Sequence, residues 1–418
     1  LFFNPEKYDH KLFGAFMKFS VHLSAIAFAC ATISSGSFAA DTIKIGVTGP
    51  YTGGSSSMGV SMRDGVRLAV KEINENGGVL SRQIELVERD DQADNARGIS
   101  IAQELVNKEK VVADVGFINT GVGLAAQRVF QEAKIPVFNN VATGSIITHQ
   151  FDKEPANYVF RNSARDEIQA PIIVNEAIEK RGYKKVAILH DSTNYGELGQ
   201  KDLVKALAAK GITPVAVEKF NVKDTDMTSQ LLKAKEAGAE VILTYAIGPE
   251  LAQIANGMAK LGWKKPMIGS WTLSMANFID TAGKNGEGAL MPQTFIQEPN
   301  TQKRKAFIEN YIKEFKPKNN RIDSPVSAAQ GYDSIYLLAA AIKQAASTDG
   351  ERIREALENL NEKVPGLVTI YDKPFSKTDH EAITDNIPVM GEVKNGRVVY
   401  AYQADMDKGS DIRLKKKK

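Results

Sequence analysis

Cysteine is almost missing from this chain: Cys30 is the only one in 418 residues. That excludes an internal disulfide and a cysteine-rich zinc or iron–sulfur centre. Histidine is scarce as well, five in all, with none at metal-ligand spacing, so no metal site is expected. The motifs G-x-S-x-G, H-E-x-x-H and the P-loop are missing, and with them any positive sign of hydrolase or metalloprotease chemistry. His190-Asp191-Ser192 contains triad residue types, but neighbours along an extended segment alternate faces and cannot converge on one substrate atom. Asp90-Asp91 reads as solvated loop charge rather than an acid–base pair. The chain is expected to be no enzyme and to need no cofactor. An excess of positive charge is also lacking. The net charge is +3, of which residues 1–39 carry +1 and residues 413–418 carry +5, so the body is near −3. A basic surface for nucleic acid is thereby excluded. Beyond residue 39 no stretch approaches ~18 uninterrupted apolar residues, and no repeat or low-complexity linker occurs.

The first 39 residues are of a different kind. From Met17 onward, Lys18 precedes an apolar run from Val21 to Ile33, and Ser37-Phe38-Ala39 fits the small-x-small rule for signal cleavage. The pattern predicts an exported chain whose mature part begins at Ala40, with residues 1–16 an upstream extension outside the fold. Cys30 lies in the apolar run, but Ala27 stands where a lipoprotein box has Leu. At the other end, residues 404–418 form a basic tail expected to be solvated.

Between these ends, short β-branched runs alternate with helix-period segments. Ile43–Val47 predicts a strand, and Ser61–Asn76 a helix closed by Gly77-Gly78. The cycle recurs with strands over Ile84–Val87, Val111–Phe117, Ile135–Phe138 and Tyr158–Phe160, then Val186–His190, Val215–Phe220, Val241–Tyr245, Met267–Ser270 and Leu290–Phe295. Helices over Ala96–Asn107 and Leu124–Lys134 fall between the earlier ones. Such alternation means βαβ units around mostly parallel sheets. The rhythm breaks after residue 300, where 302–315, 325–347 and 350–360 read as successive helices. A strand at Val368–Tyr371 and a hairpin turning at Asn395-Gly396 follow. The prediction is an α/β protein with two lobes, the late elements completing sheets begun earlier. Several chain crossings then form a hinge around a cleft.

Gly121-Val122-Gly123-Leu124-Ala125-Ala126 matches G-x-G-x-x-A, but Asn139-Asn140 stand where a dinucleotide site needs an acid. What remains is more general. Asn119-Thr120-Gly121 precedes a helix N-terminus, where unpaired N–H groups attract an anion, and Thr120 also qualifies as a plain helix cap. Ala142-Thr143-Gly144-Ser145 follows the next strand in the same way. Together the two strand ends read as a carboxylate clamp at the sheet's carboxyl edge. Tyr195, Trp271 and Tyr332-Asp333 lie near strand ends, where an aromatic is either core or ligand wall.

The run Ile43–Gly53 (IKIGVTGPYTG), with Ile73-Asn74-Glu75-Asn76-Gly77-Gly78, Asp90-Asp91, Phe160-Arg161-Asn162 and Tyr195-Gly196, resembles the branched-chain amino-acid-binding proteins of ABC importers over essentially the whole mature chain. The resemblance implies a type I periplasmic-binding-protein fold: two Rossmann-like lobes with parallel central sheets joined by a three-crossover hinge. The corresponding bounds are 40–163 with 293–368 for lobe 1, and 164–292 with 369–403 for lobe 2. It further implies a small carboxylate ligand, a membrane permease as partner, a monomer and a periplasmic location. A receptor-type sensing module is the alternative use of the same fold. By the resemblance, Thr120 and Val141 with Thr143 hold the carboxylate, beside Asn119, Gly121 and Ala142 from the strand-end reading, and Tyr195 matches the second-lobe tyrosine. Three positions depart from it: Trp271 replaces a glutamate that pairs with the ligand ammonium, and Met58 and Ile247 replace tyrosines. Asp191 or Glu250 is then expected to supply the missing acid if the ligand is an amino acid, whereas a keto or aromatic acid needs none.

Overall fold

The computed structural model describes residues 41–407 and 414–416. The upstream extension and the signal segment lie outside the described residues.

The first lobe is built on β1 (Ile43–Gly49), α1 (Ser56–Glu75), β2 (Ile84–Asp90), α2 (Asn95–Glu104), β3 (Ala113–Gly116), α3 (Thr120–Glu132), β4 (Val137–Asn139) and β5 (Val159–Arg161). Its five strands run parallel in the order β2-β1-β3-β4-β5. Central β1 is buried on both faces, which is why its sequence shows no alternation. The second lobe continues with α4 (Asp166–Asn175), β6 (Val186–Asp191), α5 (Asn194–Ala208), β7 (Ala216–Phe220), α6 (Thr228–Glu236), β8 (Val241–Tyr245), α7 (Gly248–Lys260), β9 (Met267–Gly269), α8 (Ala276–Ala282) and β10 (Leu290–Gln293). After α9 (Gln302–Phe315), α10 (Pro325–Ala345), α11 (Gly350–Glu358) and the small pair β11 (Val364–Pro365) and β12 (Ile370–Tyr371), the hairpin β13 (Val389–Lys394) and β14 (Arg397–Tyr400) closes the second sheet. That sheet has the order β14-β13-β10-β9-β8-β6-β7, antiparallel only at β10-β13-β14. Asn395 and Gly396 at the hairpin turn have φ of 52° and 71°, the paired left-handed conformation that such a two-residue turn requires.

Most predicted elements occur within a few residues of their expected limits. Two helices begin earlier than their periodicity showed, α1 at Ser56 and α3 at Thr120. Their first turns carry Ser and Gly, poor helix formers that read as loop. In the tertiary structure those turns are held by packing instead: Met58 is 2% exposed, and α1 lies so close to α10 that a Cβ on Gly65 would sit 2.1 Å from the Ala328 carbonyl oxygen.

The chain passes between the lobes at 162–165, 294–301 and 384–388. The last crossing corrects the expected return at 369. Residues 369–383 run along the first lobe, where Tyr371 donates to Asp333 (2.9 Å) and residues 380–382 pair with β5. The cause is electrostatic: fully buried Arg161 on β5 needs a counter-charge, and Glu381 supplies it, with Nε to Oε2 at 2.9 Å. The basic tail also departs from expectation. Among its described residues, the Lys415 ammonium donates to the Pro374 carbonyl (2.7 Å), and Lys416 N–H to Thr384 Oγ1 (2.9 Å). This part of the tail is docked on the first lobe rather than solvated.

Candidate functional site

Where β3 and β4 end, the two loops come together at the N-terminus of α3. Asn119 occupies the cap position, yet its side chain makes no capping bond; Nδ2 donates to Ser55 Oγ at 3.1 Å instead. Thr120 is the first helical residue rather than the cap, and its hydroxyl accepts the Gly144 N–H at 3.2 Å. Gly144 is required there by space, since a Cβ would stand 2.3 Å from the Thr120 methyl. The turn at 142–145 is fixed from below by Arg161, whose Nη1 donates to the Gly144 carbonyl at 2.7 Å, and Ser163 donates to the Ala142 carbonyl at 2.9 Å. The result is a small polar surface of hydroxyls and amides at a helix N-terminus, where the dipole favours negative charge.

The second lobe faces it with aromatics. Tyr195 and Tyr245 lie with ring centroids 5.3 Å apart, and the Tyr195 hydroxyl donates to Ser270 Oγ at 2.5 Å. Trp271 follows β9, 5% exposed, its backbone N–H bonded to Gln169 Oε1 at 3.2 Å. Met58, Val141, Tyr195, Ile247 and Trp271 are all buried, within an apolar cluster that runs through both lobes. Gly121 is turned elsewhere, toward Asn95 and Asn194. The lobes lie closed on each other. Asn277 Nδ2 donates to the Gly54 carbonyl (2.9 Å) and Ser145 Oγ to Asp202 Oδ2 (3.1 Å) across the gap. At the hinge, residues from all three crossings, among them Ala164, Thr294 and Pro388, line with Thr143 and Trp271 a cavity of about 10 Å³. That is room for about one water molecule.

Several buried polar atoms here have no hydrogen-bond partner: Asn119 Oδ1, both carboxylate oxygens of Asp166, Tyr245 Oη and Trp271 Nε1. Buried polar groups are normally satisfied, so a cluster of orphans drawn from both lobes marks a place built to meet something polar. Asp166 and Tyr245 were not singled out from the sequence. Asp166 opens α4, and its N–H donates to the Thr143 carbonyl at 2.9 Å, which puts a fully buried carboxyl at the junction of the two walls. Burial pushes it up to about 7, against the lowering influence of Thr143, Arg161 and Tyr245. Its only sequence signal was an acidic residue in a first helical turn, which ordinarily means no more than a charge–dipole contact. Tyr245 read as a strand residue.

Other expectations resolve differently. Glu250 accepts the Lys223 N–H at 2.6 Å, which commits it to the 221–224 loop. Asp191 Oδ1 accepts both the N–H and the hydroxyl of Thr193, at 2.9 and 2.6 Å, and burial pushes it up to about 6. Asp91 is buried rather than solvated, again pushed up to about 7 by burial, whereas Asp90 accepts Tyr51 N–H (2.9 Å) and Thr52 Oγ1 (2.8 Å) and shapes the loop after β1. Asp333 accepts Leu367 N–H (2.7 Å) and Val368 N–H (2.9 Å) and is structural. The glycines of 121–126 serve packing: a Cβ on Gly123 would stand 3.0 Å from Asn139 Oδ1.

Comparison with known proteins gives a consistent picture. A family profile described as periplasmic binding protein matches residues 42–397. The leucine-, isoleucine-, valine-, threonine- and alanine-binding protein of Pseudomonas aeruginosa is 30% identical over 333 residues, covering 79% of this chain and 86% of that one. Among solved structures, a type 1 periplasmic binding protein from Bordetella pertussis superposes with a TM-score of 0.78 at 27% identity, covering 86% of this chain and 100% of that one. A branched-chain amino acid transporter substrate-binding protein from Streptococcus pneumoniae, in complex with isoleucine, gives a TM-score of 0.75 at 28% identity, covering 86% and 98%.

Proposed function

The chain belongs to the periplasmic-binding-protein family, and from that premise we propose that it is the periplasmic substrate-binding component of a branched-chain amino-acid-type ABC importer. In this reading the signal at residues 17–39 exports it, and the cleft captures an amino acid or related small carboxylate. The loaded protein delivers its ligand to a membrane permease. Thr120, Thr143 and the Gly144 turn hold the carboxylate at the N-terminus of α3, and Tyr195, Tyr245, Ile247 and Trp271 enclose the rest.

The observation that carries this reading is the convergence of unpartnered polar atoms from both lobes beside that helix N-terminus. A cavity of about 10 Å³ does not admit an amino acid, so entry requires the lobes to part about the three crossings, and closure buries the guest. No covalent step is involved. A micromolar affinity corresponds to about −8 kcal/mol, within reach of a charge-assisted clamp and one buried apolar side group. Thermal-shift screening against amino acids, 2-oxo acids and aromatic acids, followed by calorimetry of the hits, tests it. A ligand that raises the melting temperature and binds with heat is expected, and silence across the panel would abandon the proposal.

A further inference from the structure

Arg161 aims Nη1 at the Gly144 carbonyl while Glu381 holds the rest of the guanidinium, so the polar wall is only as well placed as Glu381 itself. Glu381 lies on an irregular segment between β12 and the third crossing. One side of that segment is fastened to β5: the Arg161 N–H donates to the His380 carbonyl at 3.0 Å, and the Ala382 N–H to the Arg161 carbonyl at 2.9 Å. The backbone groups of Glu381 itself bond elsewhere. Asp379 Oδ1 accepts the Glu381 N–H at 3.1 Å, and the Lys415 ammonium donates to the Glu381 carbonyl. Buried main-chain groups need such partners, and here one acid and one lysine supply them.

Lys415 reaches this turn from the other end of the chain. Its ammonium, with three protons to donate, meets three acceptors among the described residues: the Pro374 carbonyl (2.7 Å), Asp379 Oδ2 (3.1 Å) and the Glu381 carbonyl. The side chains of Lys415 and Asp379 are only 15% and 14% exposed, unlike the exposed pair of Lys416 and Asp385 beside them. Around Lys415 the tail is seated on the third crossing, with Asn386 Nδ2 donating to the Leu414 carbonyl (2.9 Å) and Lys416 N–H to Thr384 Oγ1. Two ion pairs thus flank one short turn, Arg161 with Glu381 and Lys415 with Asp379.

We propose that Lys415 is a positioning residue of the ligand site: through Asp379 and Glu381 it keeps Arg161 bonded to the Gly144 carbonyl, and so keeps the wall of Thr120 and Thr143 in place. This inference rests on the reading of the cleft as a carboxylate site. Lys415 touches no ligand. The links from it to the wall are mostly charge-assisted hydrogen bonds, which fix direction as well as distance. The coupling is reciprocal: a guest that needs the wall in place binds more tightly when Lys415 is seated, and seats it more firmly once bound.

Amide exchange and calorimetry on the purified protein and its Lys415→Met, Lys415→Cys and Lys416→Met variants test this, with leucine, isoleucine, valine, their 2-oxo analogues and benzoate as probes. Without ligand, Lys415→Met should speed exchange at residues 142–147 as well as 379–382. It should also weaken the best-bound probe roughly 3- to 10-fold, and Lys416→Met should change neither readout. Aminoethylation of Lys415→Cys rebuilds an ammonium at nearly the same reach and should restore both readouts, with wild-type protein treated alike to control for Cys30. In the wild-type protein a saturating probe should slow exchange of the Lys416 N–H, a test that needs no variant to fold. Absence of that slowing would overturn the inference. So would faster exchange confined to 379–382, unchanged affinity in Lys415→Met, or equal effects from Lys416→Met. Each of these leaves the carboxylate site standing. If no probe binds the wild-type protein, the reading of the cleft falls and the inference falls with it.

Discussion

The first-lobe wall of the cleft presents Thr120, Thr143 and the backbone of the Gly144 turn, whereas the second-lobe wall presents Tyr195, Tyr245, Ile247 and Trp271. Both walls occupy the same place in the same architecture, the carboxyl edge of a parallel sheet, where chain ends converge and side chains of any chemistry can be mounted. The first lobe spends that position on backbone donors, whose geometry is set by the fold. The second spends it on large side chains, whose shape can change by single substitutions. Under the proposed function, fixed recognition of a charge and variable recognition of a side group are thus divided between the two lobes. Asp166 stands at their junction.

Three changes would break or sharpen that contrast. The largest effect is expected from Arg161→Met. It leaves Glu381 buried without its partner and frees the Gly144 carbonyl, at a cost of about 3–5 kcal/mol measurable by chemical denaturation. Adding Glu381→Leu should restore most of the stability without restoring ligand binding, because an apolar pair packs but does not hold the Gly144 turn. If Arg161→Met alone leaves stability untouched, the first wall does not depend on this pair.

A smaller effect is expected from Gly144→Ala. The new methyl would overlap that of Thr120, costing about 1–3 kcal/mol and spreading the two loops of the polar wall. Thr120→Ser in the same chain keeps the hydroxyl and removes the overlapping methyl, so the double variant should recover much of the loss in thermal denaturation. Absence of such recovery would show that the contact is not what limits the turn.

The smallest effect concerns pH. Burial pushes Asp91, Asp114 and Asp166 up to about 7, and Asp191 and Asp333 to about 6. A raised carboxyl pKa means that the folded protein binds protons which the unfolded chain releases between about pH 4 and 7. Stability therefore rises as the pH falls through that window, and the gain is absent above it. The lowered Glu176, Glu358 and Glu381 act in the opposite sense only in more acidic solution, where they at last take up protons. The ligand-free melting temperature should climb by about 5 °C between roughly pH 8 and pH 5. A flat or falling curve would show that these carboxyls are not held as buried as the fold implies.

Much of this was legible beforehand. Strand and helix order followed from hydrophobic period, the hairpin from Asn395-Gly396, and the meeting of the two loops after β3 and β4 from glycine and hydroxyl residues at strand ends. What escaped notice is of one kind. Asp166, Tyr245 and Glu381 are ordinary residues locally, an acid in a first turn, an aromatic in a strand and an acid in a loop. Each acquires its meaning from a partner far along the chain or from the lack of one: Glu381 from Arg161, 220 residues away, and Asp166 from two empty oxygens. The misplaced third crossing has the same origin, because the segment from 369 to 383 stays on the first lobe to neutralise Arg161.

The order of residues by itself determined that two α/β lobes would form and where their carboxyl edges would lie, because period and turn chemistry act over a few neighbouring positions. Only the tertiary structure decided which charges are buried, which are paired and which are left facing the cleft. Those outcomes depend on distances between segments that the chain brings together late, and electrostatic cost in a dry interior is set by what stands within a few ångströms, whatever the separation in sequence.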